Sequence, residues 1–217
     1  MSSPITSVGI SLGWKCSSAS YGVDHGYRKR KADGYKTCPF DMMVNNYEGL
    51  VQCINDDFLY FYDTNYLELK KMGDDTEWKG ETFIYNNKYK FIFNHESPGH
   101  ANLYKTEQWT EGINHFISDN YKNFITRYSA RINNFRNYIS DAITSGNKII
   151  FILDRFKPSV ANTTSLYTVL HDKYPTLNFE IKFIDCTTKY LYLHLTTLMG
   201  CDENSEEVKR CDASCKL

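Results

Sequence analysis

No apolar run in this 217-residue chain approaches the roughly 18 residues that a membrane-spanning helix requires. Residues Met1 to Ile10 lack the basic and long apolar regions of a secretory signal. Charge of neither sign dominates, with 25 basic against 26 acidic side chains and a net charge of -1, so no strong nucleic-acid binding is expected, and no membrane partner. Proline is scarce (five), no Gly/Ser or Pro-rich linker divides the sequence, and no internal repeat is visible. These absences exclude a membrane protein, a collagen, a coiled coil and a disordered chain, and the expected location is cytoplasmic.

What remains, 41% hydrophobic and 24% charged residues, suits one globular domain. Tyrosine (17) and phenylalanine (13) are abundant, but an AT-rich genome yields such a bias as readily as a function does. Seven cysteines, an odd number without an export signal, read as free thiols in a reducing compartment. The most metal-like spacing is Cys211 and Cys215 with Cys201 upstream, and His194 would complete a set of four. The intervening acidic stretch reads instead as a solvated tail, so no metal and no other cofactor is expected. The expected division is a domain over 1–198 followed by a polar, Cys-containing tail over 199–217, disordered or loosely packed.

Val8–Leu12 reads as a short buried strand ending at Gly13, and the small residues after Cys16 as a helix start. Asp41 is placed to cap a helix over Met42–Ile54, with an apolar stripe of Met43, Tyr47, Leu50, Val51 and Ile54. Thr82–Tyr85 and Tyr89–Phe93 flank Asn86–Asn87 as a hairpin, and Met72–Lys79 reads as a charged loop. Thr106–Thr144 carries apolar residues at helical spacing, among them Arg127, Arg131 and Arg136, a basic edge. Gly146 ends that helix before a strand over Lys148–Leu153; a helix over Thr164–Tyr174 and a strand over Phe179–Ile184 follow. The expected fold is α/β, with α+β as the alternative: a single domain with a partly parallel sheet and a long Arg-bearing helix.

A nucleophilic thiol needs a lowered pKa and a base, which a helix N-terminus and a neighbouring histidine supply. Cys16 lies three residues past Gly13 at a strand-to-helix junction, where backbone N–H groups around Trp14 to Cys16 could form an oxyanion pocket. His95 lies at a strand end, with His100, past the Pro98–Gly99 turn, as the alternative base. Gly9-Ile-Ser-Leu-Gly13 superficially matches the nucleophile elbow of serine hydrolases, but Ser11 falls inside the strand rather than at its turn.

Ser11-Leu-Gly-Trp-Lys-Cys16, Cys38-Pro-Phe-Asp41, Phe91-Ile-Phe-Asn-His95, the Arg-bearing helix from Tyr128 to Asn137 and Ile149–Ile152 occur together and in order. Over Val8 to Asp185 this arrangement resembles the papain-like cysteine peptidase family of bacteria and large DNA viruses. The resemblance implies Cys16 as nucleophile and His95 as base, with Trp14 and Asp41 as motif or oxyanion support. The chain departs from the family pattern at Met42, where a tryptophan is usual, and at Leu153–Asp154, where an arginine is common. Asp154, at the carboxyl end of the best strand, is therefore the first choice as third catalytic member, and Asp41, which equally serves as a helix cap, is its rival.

Three functions follow as expectations. The first is a thiol-dependent hydrolase, peptidase-like, acting on an amide or ester of a peptide or glycan-linked substrate. The second is an acyltransferase using the same Cys/His site. The third is a non-catalytic binding module built on the basic helix edge.

Overall fold

The structure is a computed structural model that describes residues 7–14, 16–73, 78–99, 109–154 and 160–184. The expected tail, its cysteines, His194 and His100 lie outside the described residues.

Ile10 and Leu12 alternate with Gly9 and Ser11 in strand β1 (Ser7–Gly13), whose last five residues are all buried. Helix α1 (Ser17–Asp24) follows directly. Helix α2 (Tyr47–Asn55) leads to an antiparallel sheet of β2 (Leu67–Lys71), β3 (Thr82–Asn86) and β4 (Phe91–Phe93) in the order β2-β3-β4. Helix α3 (Ser118–Ser145) then precedes β5 (Lys148–Asp154), α4 (Val160–Lys173) and β6 (Asn178–Ile184). Strands β1, β5 and β6 form a parallel sheet in the order β1-β5-β6, so the chain is mixed α/β as the sequence pattern predicts. Among the described residues no helix is long and apolar enough to cross a membrane.

The abundance of aromatic side chains has a structural use. Phe40 lies centrally in the core, packed edge-on against Phe91 of β4 (6.1 Å, 86°) and Phe135 of α3 (6.3 Å, 88°). Phe61, Phe93, Phe124 and Tyr128 extend the same cluster, with Tyr128 fully buried at 5.0 Å from Phe93. Edge-to-face contacts of this kind add about 0.5–1.5 kcal/mol each beyond the burial itself. The cluster welds the antiparallel sheet to α3.

Four expectations are corrected. The helix predicted over Met42–Ile54 begins only at Tyr47: Pro39–Met42 is a 3-10 turn, and Val44 leaves the helical path to pair with Ile92. Asn46, not Asp41, caps α2, its Oδ1 accepting from the Gly49 N–H at 2.6 Å. The long helix is shorter at its start, because Asp119, Asn120 and Tyr121 have positive φ (49°, 51° and 64°) and Ile113 is 55% exposed. The hairpin has a four-residue loop over 87–90, which the Asn86 side chain organises by accepting from the Lys88 and Tyr89 N–H groups (3.0 and 2.8 Å). Strand β2 was not foreseen; its Leu-Glu-Leu-Lys-Lys sequence is mostly exposed, with Leu67 its one buried side chain.

Two of the seven thiols are part of the core. Cys38 and Cys53 are fully buried, and desolvation pushes both well above the ordinary value near 9.0. A group whose pKa is raised by folding stabilises the fold below its unfolded value and loses that contribution as pH rises. Stability is therefore expected to be level below about pH 8.5 and to fall above it, each thiol adding a slope of about 1.4 kcal/mol per pH unit. Urea unfolding followed across this range checks it: Cys53→Ala should make the profile shallower between about pH 8.5 and 9.5, before the buried tyrosines dominate, and a flat profile in the parent chain would refute the assignment.

Candidate active site

The site is built at the carboxyl end of the parallel sheet. After Ile10 and Leu12 have anchored β1 in the core, the chain turns through two consecutive residues of positive φ, Gly13 (91°) and Trp14 (66°). A Cβ on Gly13 would lie 2.5 Å from the Asn45 amide, so both the backbone conformation and the space require glycine there. Trp14 has no such freedom and adopts the left-handed region at a cost on the order of 1–3 kcal/mol. Strain of this kind persists only where the surroundings over-determine it.

Asn45 supplies that determination. Its Oδ1 accepts from the Trp14 N–H at 2.6 Å, its Nδ2 donates to the Leu12 carbonyl at 2.7 Å, and its own N–H donates to the Trp14 carbonyl at 3.2 Å. The turn delivers Cys16 as the residue before α1, half-buried. Its side chain makes no capping hydrogen bond, and the N–H groups of the first turn of α1 face the end of the helix that it occupies.

Asp154 ends β5, the strand paired with β1, and is fully buried. The Ser17 hydroxyl donates to its Oδ2, so the structure brings the Cys16–Ser17 turn and Asp154 together. His95 comes from the other sheet. It sits, partly exposed, in a 3-10 turn (Asn94–Glu96) directly after β4 rather than on the strand itself. The tie between its segment and the Cys16 turn runs through backbone: Val44 exchanges both hydrogen bonds with Ile92 (2.9 and 2.8 Å), and the next residue is Asn45.

The remaining sequence candidates have other occupations. The Trp14 N–H, expected among the oxyanion donors, is held by Asn45, so what Trp14 provides is the turn. Asp41 is buried with both oxygens engaged: Oδ1 accepts from Arg28 at 2.6 Å and Oδ2 from the Cys38 N–H at 2.8 Å. Burial pushes this carboxyl up, and the Arg28 guanidinium opposes that shift. Ser11 is fully buried inside β1 and bonded to the Ser18 hydroxyl, which is not the geometry of a nucleophile elbow.

Two important residues were not read from the sequence. Asn45 belongs to an Asn-Asn pair that interrupts the apolar stripe, and asparagine is a poor interior residue of a helix. That interruption was the available signal. Glu96, next to His95, is fully buried and accepts from Tyr128 at 2.9 Å, with Arg127 (3.2 Å) and Arg131 (2.9 Å) as its cations. The basic helix edge is thus in part an internal ion-pair network, and Arg136 pairs with Asp57 at 3.0 Å.

A cysteine at a strand-to-helix turn, an acid on the neighbouring parallel strand and a histidine in the turn after the antiparallel sheet thus belong to one mixed α/β domain. The model of the family described as "Putative papain-like cysteine peptidase" matches residues 7–189, and the chain belongs to that family. No curated protein and no solved structure matches the chain.

Replacing Asn45 by Ala removes two buried side-chain hydrogen bonds and leaves the Trp14 N–H and the Leu12 carbonyl without them. A loss of about 2–4 kcal/mol in urea unfolding is expected. A loss below about 0.5 kcal/mol would mean that the turn holds itself.

Proposed function

We propose that the chain is a thiol-dependent hydrolase acting on an amide or ester, with Cys16 as nucleophile and His95 as base. The observation that carries this reading is the strained Gly13–Trp14 turn. It delivers a half-buried thiol, bearing no capping hydrogen bond, to the first turn of α1. Family membership supports the same reaction class.

In this reading His95 takes the proton of Cys16 Sγ, and the thiolate attacks the substrate carbonyl. The oxyanion that forms is received by N–H groups at the start of α1, where the helix dipole favours negative charge. His95 then returns the proton to the leaving amine or alcohol, and water releases the acyl group from sulfur. Asp154 is the third member: a buried carboxylate beside the Cys16 turn favours the imidazolium form of the base. Ser17 positions that carboxylate. Water and a peptide, ester or glycan-linked substrate suffice, without a cofactor.

Iodoacetamide labelling of the native chain from about pH 5 to about pH 9, read by peptide mass spectrometry, tests the pair. Cys16 is expected to label faster than Cys38 and Cys53 and to stay reactive toward the acid end of that range. His95→Ala should return it to free-thiol behaviour, and Asp154→Asn should produce a smaller change in the same direction. A profile that follows a free thiol and ignores His95→Ala contradicts the proposal.

A further inference from the structure

A cleft of about 790 Å³ opens between the 31–37 segment and the first half of α3, and neither Cys16, His95 nor Asp154 lines it. Lys31, Lys36, Arg127 and Arg131 line it together with His115, and no carboxylate does so among the described residues. The two arginines share one paired counter-ion, Glu96, whose side chain is fully buried. The four cationic side chains of the lining, set against this one carboxylate, leave three positive charges among these residues.

The cations are pre-organised. Arg127 lies over the Phe116 ring at 4.2 Å and Arg131 over the Tyr128 ring at 4.7 Å, which fixes both guanidinium planes. A guanidinium carries five N–H donors, and the ion pairs with Glu96 run through Nη1 of Arg127 (3.2 Å) and of Arg131 (2.9 Å). The two walls are bound to each other: Asn134 Nδ2 donates to the Thr37 carbonyl at 3.0 Å, and the Lys36 N–H donates to the Tyr138 hydroxyl at 2.8 Å. The cleft is therefore preformed, and its volume is that of a small-molecule site.

We infer that this cleft binds a multiply charged oxyanion, a small molecule bearing phosphate or carboxylate groups. A net charge of -1 for the whole chain makes the concentration of positive charge a local feature rather than a general stickiness for polyanions. The two lysines are exposed and supply long-range attraction, while the arginines supply fixed, fork-shaped donors inside.

Calorimetric titration of the full chain with pyrophosphate and, separately, citrate tests the inference. Binding with a Kd of about 1 mM or tighter is expected for at least one probe, weakening as salt is raised. Pyrophosphate alone binding assigns phosphate groups, citrate alone carboxylates, and either outcome supports the site. Replacing both Lys31→Gln and Lys36→Gln should weaken binding about tenfold without moving the melting temperature. The charge-matched control, Lys71→Gln with Lys90→Gln on the other sheet, should bind as the parent does. Absence of binding by both probes, or equal binding by the Lys31/Lys36 variant, overturns the proposal.

Discussion

The structure depends on one strap, Val44–Asn45–Asn46, that three other parts of the chain share. Val44 pairs by backbone with Ile92 of β4, Asn45 grips Leu12 and Trp14 at the end of β1, and Asn46 caps α2. Asn46 Nδ2 also donates to the Tyr89 carbonyl at 3.1 Å, in the loop that leads into β4. Among the described residues this strap carries backbone hydrogen bonds to both the end of β1 and β4, and so joins the parallel sheet to the antiparallel one. With it, the turn that carries Cys16 and the strand that precedes His95 are set by directional bonds between buried groups. Such bonds tolerate little displacement, because breaking any of them orphans a buried donor or acceptor.

Strain and charge near the site follow the same logic. Trp14 holds an unfavourable φ only because its N–H and carbonyl both end on Asn45. Glu96 and Asp41 are buried acids, each bonded to arginine and to a further donor, Tyr128 for one and the Cys38 N–H for the other. Breaking such a pair is costly although making it adds little net stability, which gives these clusters a role in fixing a single arrangement. Glu96 follows His95 directly, so the network that holds Glu96 also fixes the backbone from which the imidazole projects.

Much of the fold was legible because β5 is an apolar run after Gly146, β1 and β6 alternate apolar residues with small or polar ones, and α4 has helical spacing. Gly146 was legible as the end of α3 because a left-handed cap there favours glycine. The region 42–46 was not. Its apolar stripe satisfied a helix, and only the pairing of Val44 with Ile92, forty-eight positions away in sequence, overrides that local preference. Cys16 could be singled out because a strand-to-helix junction is a local pattern. Its neighbour Asp154 was reachable as the end of the clearest strand. Asn45 and Glu96 were not reachable in this way, since their importance comes from partners on other elements: Leu12 and Trp14 in one case, Tyr128, Arg127 and Arg131 in the other.

The central claim is that the strap brings the Cys16 thiol and the His95 imidazole within reach of each other. Treatment with 1,3-dibromoacetone measures this directly: each carbon–bromine bond is replaced, one by sulfur and one by ring nitrogen, only when both groups lie within one three-carbon bridge. Peptide mapping of the treated native chain is expected to recover Cys16 joined to His95. Recovery of Cys16 alkylated without a bridge, or bridged to another histidine, would contradict the account.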